Sequence, residues 1–139
     1  MVLGLRALLP RDIPIEEFPP TGASICDTVR QWYRARVAIC PHGAGCTNML
    51  FMRPTSTVVE VVHSEQHGRV YEGMARMMGH HFVSCIYNLT MARKRSQLKF
   101  ARDHSYSSFV VDVPWLLTML HQSGAFDALV KRQRLKAGV

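Results

Sequence analysis

The sequence predicts an α/β fold in which a parallel sheet carries helices on both faces, and three observations lead to this class. Short runs of consecutive apolar residues such as Val37–Cys40 recur along the chain, and such runs are typical of strands buried on both faces. Segments with helical spacing of apolar residues lie between these runs. Glycine and proline separate the two kinds of segment. Alternation of buried strands with helices favours parallel strands joined by crossover helices.

Four segments have the character of strands. Ile13–Glu16 alternates but contains a proline, which predicts a short edge strand or extended segment. Val37–Cys40 and Phe82–Ile86 are short runs dominated by apolar residues. Thr57–Val62 is the clearest strand, because it is β-branched throughout except for one carboxylate, Glu60.

Four segments are expected to be helical. Ser24 and Asp27 have capping-box spacing and open the first helix, whose apolar face is formed by Ile25, Cys26, Val29, Trp32 and Tyr33. A short helix is predicted from Thr47 to Met52. A third runs from Tyr71 to Gly79, and the last opens at Asp112-Val113-Pro114 and continues through Leu129. Residues 88–108 are polar and basic without a clear period and are interpreted as a loop.

Size and composition limit the classes of protein to consider. A chain of 139 residues is the size of one domain, so residues 1–139 are taken as a single α/β domain. With 47% hydrophobic and 19% charged residues, its composition is that of a globular protein and excludes a disordered tail. The formal net charge of +7 favours an anionic partner: nucleic acid, acidic lipid headgroups or the diphosphate of a nucleotide.

Membrane and targeting signals are weak in this sequence. No apolar run approaches the length of a membrane-spanning helix. The apolar stretch within Met1–Arg11 contains Arg6 and lacks a small-residue cleavage site, so it is a poor signal peptide. As written, the chain is expected to remain in the cytosol.

The turn after the second predicted strand is the best candidate for a binding site. Ligands of open parallel sheets bind outside the carboxyl ends of the strands, where loops lead into helices. Gly43 and Gly45 have no Cβ, so the backbone N–H groups of the turn Pro41–Gly45 can approach a ligand closely. A helix beginning at Cys46 would add unpaired N–H donors suited to phosphate, with Thr47 and Asn48 in its first turn.

Two ionisable residues near this turn leave alternatives open. Glu60 lies in an apolar strand, where a carboxylate is costly unless it has a partner. That partner is either a pair of ribose hydroxyls or an Arg of a neighbouring helix. His42 is either a ligand contact or a structural histidine with satisfied hydrogen bonds.

Cysteine spacing gives no metal or disulfide signature. Cys26, Cys40, Cys46 and Cys85 contain no C-x-x-C pair, so a disulfide scaffold and a zinc ribbon are both disfavoured and buried thiols are expected. A metal site built from Cys40, His42, Cys46 and His63 matches no familiar zinc spacing, so no metal is expected.

Basic residues cluster in two places outside this turn. One run lies between Arg93 and Arg102 and the other between Lys131 and Lys136, and both are interpreted mainly as solvated surface. Nucleic-acid binding calls for aromatics interleaved with the cations, and only Phe100 and Tyr106 qualify, so no nucleic-acid partner is expected. Asn88-Leu89-Thr90 is a glycosylation sequon, which matters only in the secretory pathway.

The segment His42–Pro54, followed by Val58-Val59-Glu60-Val61, resembles the signature of glycosyltransferase family 61. This group contains the EGF-domain-specific O-linked N-acetylglucosamine transferase and plant xylosyl- and arabinosyltransferases. The signature reads His-Gly-Ala-Gly-Leu-(Thr/Ala)-(Asn/His)-x-Leu-Phe-(Met/Leu)-x-Pro before a Val-Val-Glu-like strand. The closing stretch Tyr106–Val113 is also similar, and the resemblance covers roughly residues 13–130.

The resemblance implies a GT-B architecture, with this chain corresponding to the C-terminal, Rossmann-like half that binds a sugar nucleotide. It implies a UDP-linked donor of N-acetylglucosamine, xylose or arabinose, transferred with inversion to a protein or glycan acceptor without a metal or other cofactor. The residues carried over to the UDP-sugar are His42, Gly43, Ala44, Gly45, Thr47, Asn48 and Glu60. Catalytic residues stay unassigned. Family members work in the lumen of the endoplasmic reticulum or Golgi.

Two departures from the family pattern accompany the match. Cys46 stands where the signature has Leu, a volume change expected to affect packing more than chemistry. The N-terminal acceptor-binding domain, expected to help supply the general base, has no counterpart in these residues. Three hypotheses follow: a glycosyltransferase domain, a non-catalytic remnant that still binds nucleotide sugars or a partner, and a basic nucleic-acid-binding module.

Overall fold

The computed structural model describes residues 2–9, 11, 13–18, 24–62, 69–86 and 111–124. Three strands form one parallel sheet in the order β1-β2-β3: β1 spans Val37–Pro41, β2 spans Thr57–Val62 and β3 spans His81–Ile86. Val37 of β1 is in register with Thr57, which in turn is in register with His81. All six residues of the central strand β2 are buried, as its run of β-branched residues predicts.

Helices alternate with these strands. Helix α1 spans Val2–Leu8, α2 spans Ile25–Arg34, a 3₁₀ helix spans Ala44–Phe51, α3 spans Val70–Met77 and α4 spans Val113–Gln122. The two connections between these parallel strands, β1 to β2 and β2 to β3, therefore each contain a helix. The predicted α/β class is confirmed.

The first face of the sheet is covered by α2, the 3₁₀ helix and α3. Trp32, Met49 and Ala75 come from these three helices and pack in one cluster with Ala38 and Val58 of the sheet. Successive strand residues point to opposite faces, so the residues between them belong to the second face.

Helix α4 covers the second face. Its buried residues Leu116 and Leu120 pack with Val59, Val61 and Cys85. The prediction of helices on both faces of the sheet is thus confirmed by two separate clusters.

Two predicted helix starts and one predicted helix end agree with the structure. The Ser24 hydroxyl accepts a bond from the Asp27 N–H at 3.1 Å, and the Asp112 carboxylate accepts one from the Trp115 N–H at 3.0 Å. Pro114 lies in the first turn of α4. Gly79 follows α3 with φ +71°, the left-handed conformation that ends helices.

The apolar face predicted for α2 is only partly buried. Trp32 is buried, whereas Ile25, Cys26 and Tyr33 are exposed. Trp32 stacks on Phe18 with ring centroids 4.1 Å apart. Helix α2 therefore packs mainly through Trp32 and not through a continuous row of apolar residues.

Of the two alternatives predicted for Ile13–Glu16, an edge strand or an extended segment, the edge strand is wrong. Residues 13–18 are irregular and are tied to helices by side chains instead of a strand ladder. Arg6 of α1 donates to the Ile15 carbonyl at 3.1 Å, and Gln31 of α2 donates to the Glu17 carbonyl at 2.5 Å. Pro14 lacks the N–H that a ladder needs, which disfavours pairing here.

Other predicted boundaries lie partly outside the described residues. Helix α4 ends at Gln122, where Gly124 takes φ +70°, and Phe126 and Leu129 fall outside the described part. Residues 88–108, with the sequon at Asn88 and the first basic run, are also outside, as are His63 and the basic run from Lys131. The closing stretch Tyr106–Val113 is described only from residue 111.

Candidate functional site

The candidate site is the turn between β1 and the 3₁₀ helix, at the carboxyl end of a parallel strand. The His42 N–H donates to the Val61 carbonyl at 2.9 Å, so the ladder between β1 and β2 continues one residue past Pro41. Pro41, Ala44 and Gly45 are exposed, and His42 and Gly43 are half-buried. The turn is therefore open at the surface and is not covered by the described side chains.

Gly43 is the residue on which the shape of this turn depends. Its φ of +151° and ψ of 176° belong to a region that essentially only glycine adopts. Its carbonyl accepts the Cys46 N–H at 3.0 Å, which closes the first turn of the 3₁₀ helix. A Cβ added at Gly43 or Gly45 would meet no described atom within 4 Å, so there is open space beside both residues.

The helix after the turn differs from the predicted one. It is a 3₁₀ helix that begins at Ala44, so the first-turn amides are those of Ala44 and Gly45. Thr47 and Asn48 lie in its second turn and are half-buried. The physical reason is the spacing of the buried residues Cys46 and Met49, which are three apart and align on one face of a helix with three residues per turn. Met52, the residue after the helix, is also buried.

His42 and Glu60, which the sequence left with alternative partners, pair with each other. The distance from His42 Nδ1 to Glu60 Oε1 is 2.5 Å. Glu60 is in register with Cys40, and residues 40 and 42 share a face because strand side chains alternate. The pair therefore lies on the same face as α3, and the Tyr71 ring meets the His42 ring edge-on with centroids 5.4 Å apart.

Burial makes this pair structurally important. The Glu60 side chain is 6% exposed, whereas the His42 side chain is 26% exposed. A carboxylate at that depth needs a hydrogen-bonding partner, and the imidazole supplies it. The pair thus joins the central strand to the candidate turn. The predicted contact of Glu60 with a ribose stays a prediction.

The expectation that all four cysteines are buried thiols is wrong. Cys40, at the end of β1, and Cys46, in the 3₁₀ helix, form a disulfide with Cα atoms 5.9 Å apart. Cys26 is a free, exposed thiol, and Cys85 is a free, buried thiol. Burial raises the pKa of the Cys85 thiol to about 11. The feature of the sequence that could have predicted this disulfide is Cys46 itself. It stands where the family signature has Leu, six residues after Cys40.

Within the described part of the chain, neither a metal-binding cluster nor the surface cleft given below coincides with the turn. Among the described residues, no group of three or more His, Cys, Asp or Glu side chains is placed to hold a metal ion. A surface cleft of about 330 Å³ is lined by Arg6, Arg11, Ile13, Pro14 and Ile15, none of which belongs to the turn. We find no described helix with the length and apolar character to cross a bilayer.

Comparison with protein families matches part of the chain. The family model described as Glycosyltransferase 61 matches residues 2–59, which is 58 of the 139 residues. The matched part contains the whole glycine turn and the 3₁₀ helix, and it ends one residue before Glu60. No curated protein and no solved structure matches the chain.

Proposed function

We propose that this chain, whose residues 2–59 belong to glycosyltransferase family 61, binds the diphosphate of a UDP-sugar at the turn after β1. The family match supports glycosyltransferase function in general. The finer proposal is a Rossmann-like, C-terminal half of a GT-B enzyme. Its donor carries N-acetylglucosamine, xylose or arabinose, which is transferred with inversion to a protein or glycan acceptor.

One observation carries this proposal: the turn matched by the family model is exposed at the carboxyl end of a parallel strand. Gly43 holds a conformation that a residue with a side chain rarely adopts, and it leads directly into the first-turn amides of Ala44 and Gly45. Amides at a helix N-terminus point outward and favour negative charge. The net charge of +7 adds a general attraction for a nucleotide diphosphate.

The chemistry of inverting transfer assigns a task to each part of such a site. An acceptor oxygen attacks the anomeric carbon, the bond from that carbon to the β-phosphate oxygen breaks, and UDP departs with the electron pair. Amides at the turn would stabilise the charge that develops on the departing diphosphate. A general base must take the acceptor proton, and no residue is assigned to that task.

The lumen of the secretory pathway is the proposed location. Family membership favours this compartment for glycosylation. The Cys40–Cys46 disulfide is an independent observation that supports it, because disulfides persist in oxidising compartments and are rare in the cytosol. The proposal differs from the cytosolic expectation, which rested on the poor signal peptide alone.

Isothermal titration of the 139-residue chain with UDP and with UDP-N-acetylglucosamine tests the proposal. We expect both to bind, and Gly43→Ala to weaken binding by about tenfold, the equivalent of one lost hydrogen bond to a charged group. Gly124→Ala is the matched control, because Gly124 also has positive φ but ends α4, on the other face of the sheet. Its affinity for UDP is expected to equal that of the wild type.

Two outcomes would favour the rival functions. Binding of a short RNA by a chain that ignores both nucleotides would replace this proposal with a nucleic-acid-binding module. Donor binding without sugar transfer, measured with the acceptor domain of a family member added in trans, would support a non-catalytic remnant. Release of UDP in that assay supports the enzyme.

A further inference from the structure

The Cys40–Cys46 disulfide spans the candidate donor site. Cys40 ends the buried part of β1, and Cys46 lies in the first turn of the 3₁₀ helix. The bridge encloses Pro41–Gly45, which is the exposed turn itself. Both cysteines are buried in the cluster on the first face of the sheet, so the bridge fixes an exposed turn to the core.

The two ends of the turn are held in different ways. The His42 end is attached to β2 by the bond from its N–H to the Val61 carbonyl and by its contact with Glu60. The Ala44 end enters a short 3₁₀ helix, a form with poorer hydrogen-bond geometry than an α-helix. The disulfide is the covalent attachment at this second end. The Cys46 N–H bond to the Gly43 carbonyl and the buried Met49 also hold this end, so we expect the positions of the first-turn amides to depend on the disulfide in part.

Restraining the turn lowers the entropic cost of binding. Fixing the backbone of one residue costs on the order of 1–2 kcal/mol, and a cross-link removes many conformations of the loop that it closes. A turn already held in its binding conformation loses less freedom when an anion binds. If reduction frees one residue of the turn, affinity is expected to fall about fivefold to thirtyfold.

We propose that the Cys40–Cys46 disulfide is a positioning element of the donor site, so that a dithiol reductant weakens binding of the nucleotide diphosphate. This inference rests on the proposed function. Two electrons from the dithiol reduce the S–S bond to two thiols, the two protons of the dithiol pass to the cysteine sulfurs, and the dithiol becomes a cyclic disulfide. Reduction is expected to change the affinity for the donor through the position of the turn, because neither sulfur needs to contact the donor.

Titration of UDP into the full chain with and without dithiothreitol is the primary test. The chain carries Cys26→Ser, which removes the exposed thiol and leaves the bridge intact. We expect the Kd for UDP to rise about fivefold to thirtyfold on reduction, while circular dichroism stays that of a folded α/β protein. Mass spectrometry after alkylation counts the thiols in each sample.

A second variant separates the effect of the disulfide from the effect of the core packing at positions 40 and 46. Cys40→Ala/Cys46→Leu places at position 46 the residue of the family signature, so the core volume is kept without a disulfide. Its Kd for UDP should match that of the reduced chain and should not respond to dithiothreitol. If this variant does not fold, the comparison of the Cys26→Ser chain with and without reductant still tests the inference.

Several results would overturn the inference. An unchanged UDP affinity after proven reduction, or tight binding by Cys40→Ala/Cys46→Leu, would show that the bridge does not position the site. Four free thiols in the chain bearing native Cys26, or unfolding on reduction, would also count against it. UDP binding that ignores the redox state refutes only this inference, whereas no UDP binding in the oxidised chain refutes the proposed function as well.

Discussion

Removing the His42 side chain should destabilise the protein through Glu60, the buried carboxylate that it contacts. In His42→Ala, Glu60 Oε1 loses the ring nitrogen 2.5 Å away while the carboxylate stays in the central strand. The perturbation therefore acts on a residue that is not itself changed.

The magnitude follows from the burial of the two side chains. Breaking a fully buried ion pair by removing one partner costs about 3–5 kcal/mol, and an unsatisfied buried polar group costs about 1–3 kcal/mol. Because His42 is 26% exposed, water can reach part of the space that the substitution opens. We therefore expect the free energy of unfolding to fall by about 2 kcal/mol.

Urea denaturation of four chains measures this effect as a double-mutant cycle. The chains are the wild type, His42→Ala, Glu60→Gln and the double variant. In the double variant the buried group is neutral, so we expect part of the loss to return and a coupling energy of about 1–2 kcal/mol. Additive effects, with coupling below about 0.5 kcal/mol, would refute the reasoning that the carboxylate depends on the imidazole.

Three further predictions concern single positions. Gly43→Ala should lower the free energy of unfolding by about 1–3 kcal/mol because of its positive φ, and Gly45→Ala should be nearly neutral; equal effects in urea melts would contradict this. His80→Ala should cost about 1–3 kcal/mol, since the buried ring contacts a main-chain carbonyl at 3.1 Å, and His80→Gln should cost less; thermal melts compare the two. At pH 8, iodoacetamide should modify exposed Cys26 well before buried Cys85, whose raised pKa of about 11 keeps it a thiol. Equal alkylation rates for the two thiols would exclude the burial of Cys85. The raised pKa of Cys85 also contributes stability below pH 9 that is lost as pH rises from about 9 towards 11.

The alternation of strands and helices was predictable from the sequence, because it depends on local patterns. The β-branched run Thr57–Val62 became the fully buried central strand. Ser24 and Asp112 capped their helices as their spacing to the next turn predicted. A helix cap is satisfied within four residues, so no tertiary information is needed to locate it.

The form of the helix after the glycine turn was less predictable. Its composition suits an α-helix or a 3₁₀ helix, and the predicted starts at Cys46 and Thr47 were two and three residues late. The tertiary structure decided between them, because Cys46 and Met49 are both buried and share one face of a helix that turns every three residues.

The sequence by itself determined the α/β class, the glycine turn after an apolar strand and the family signature that the turn carries. Only the tertiary structure decided that Glu60 meets His42 and that Cys40 meets Cys46. Strands that are apolar on both faces give no pattern from which to deduce their register, and register is what aligns residues 40 and 60. His42 and Glu60 are 18 residues apart in the chain and become neighbours only when the sheet is assembled, whereas Cys40 and Cys46 are six residues apart and meet when the turn brings the 3₁₀ helix against β1.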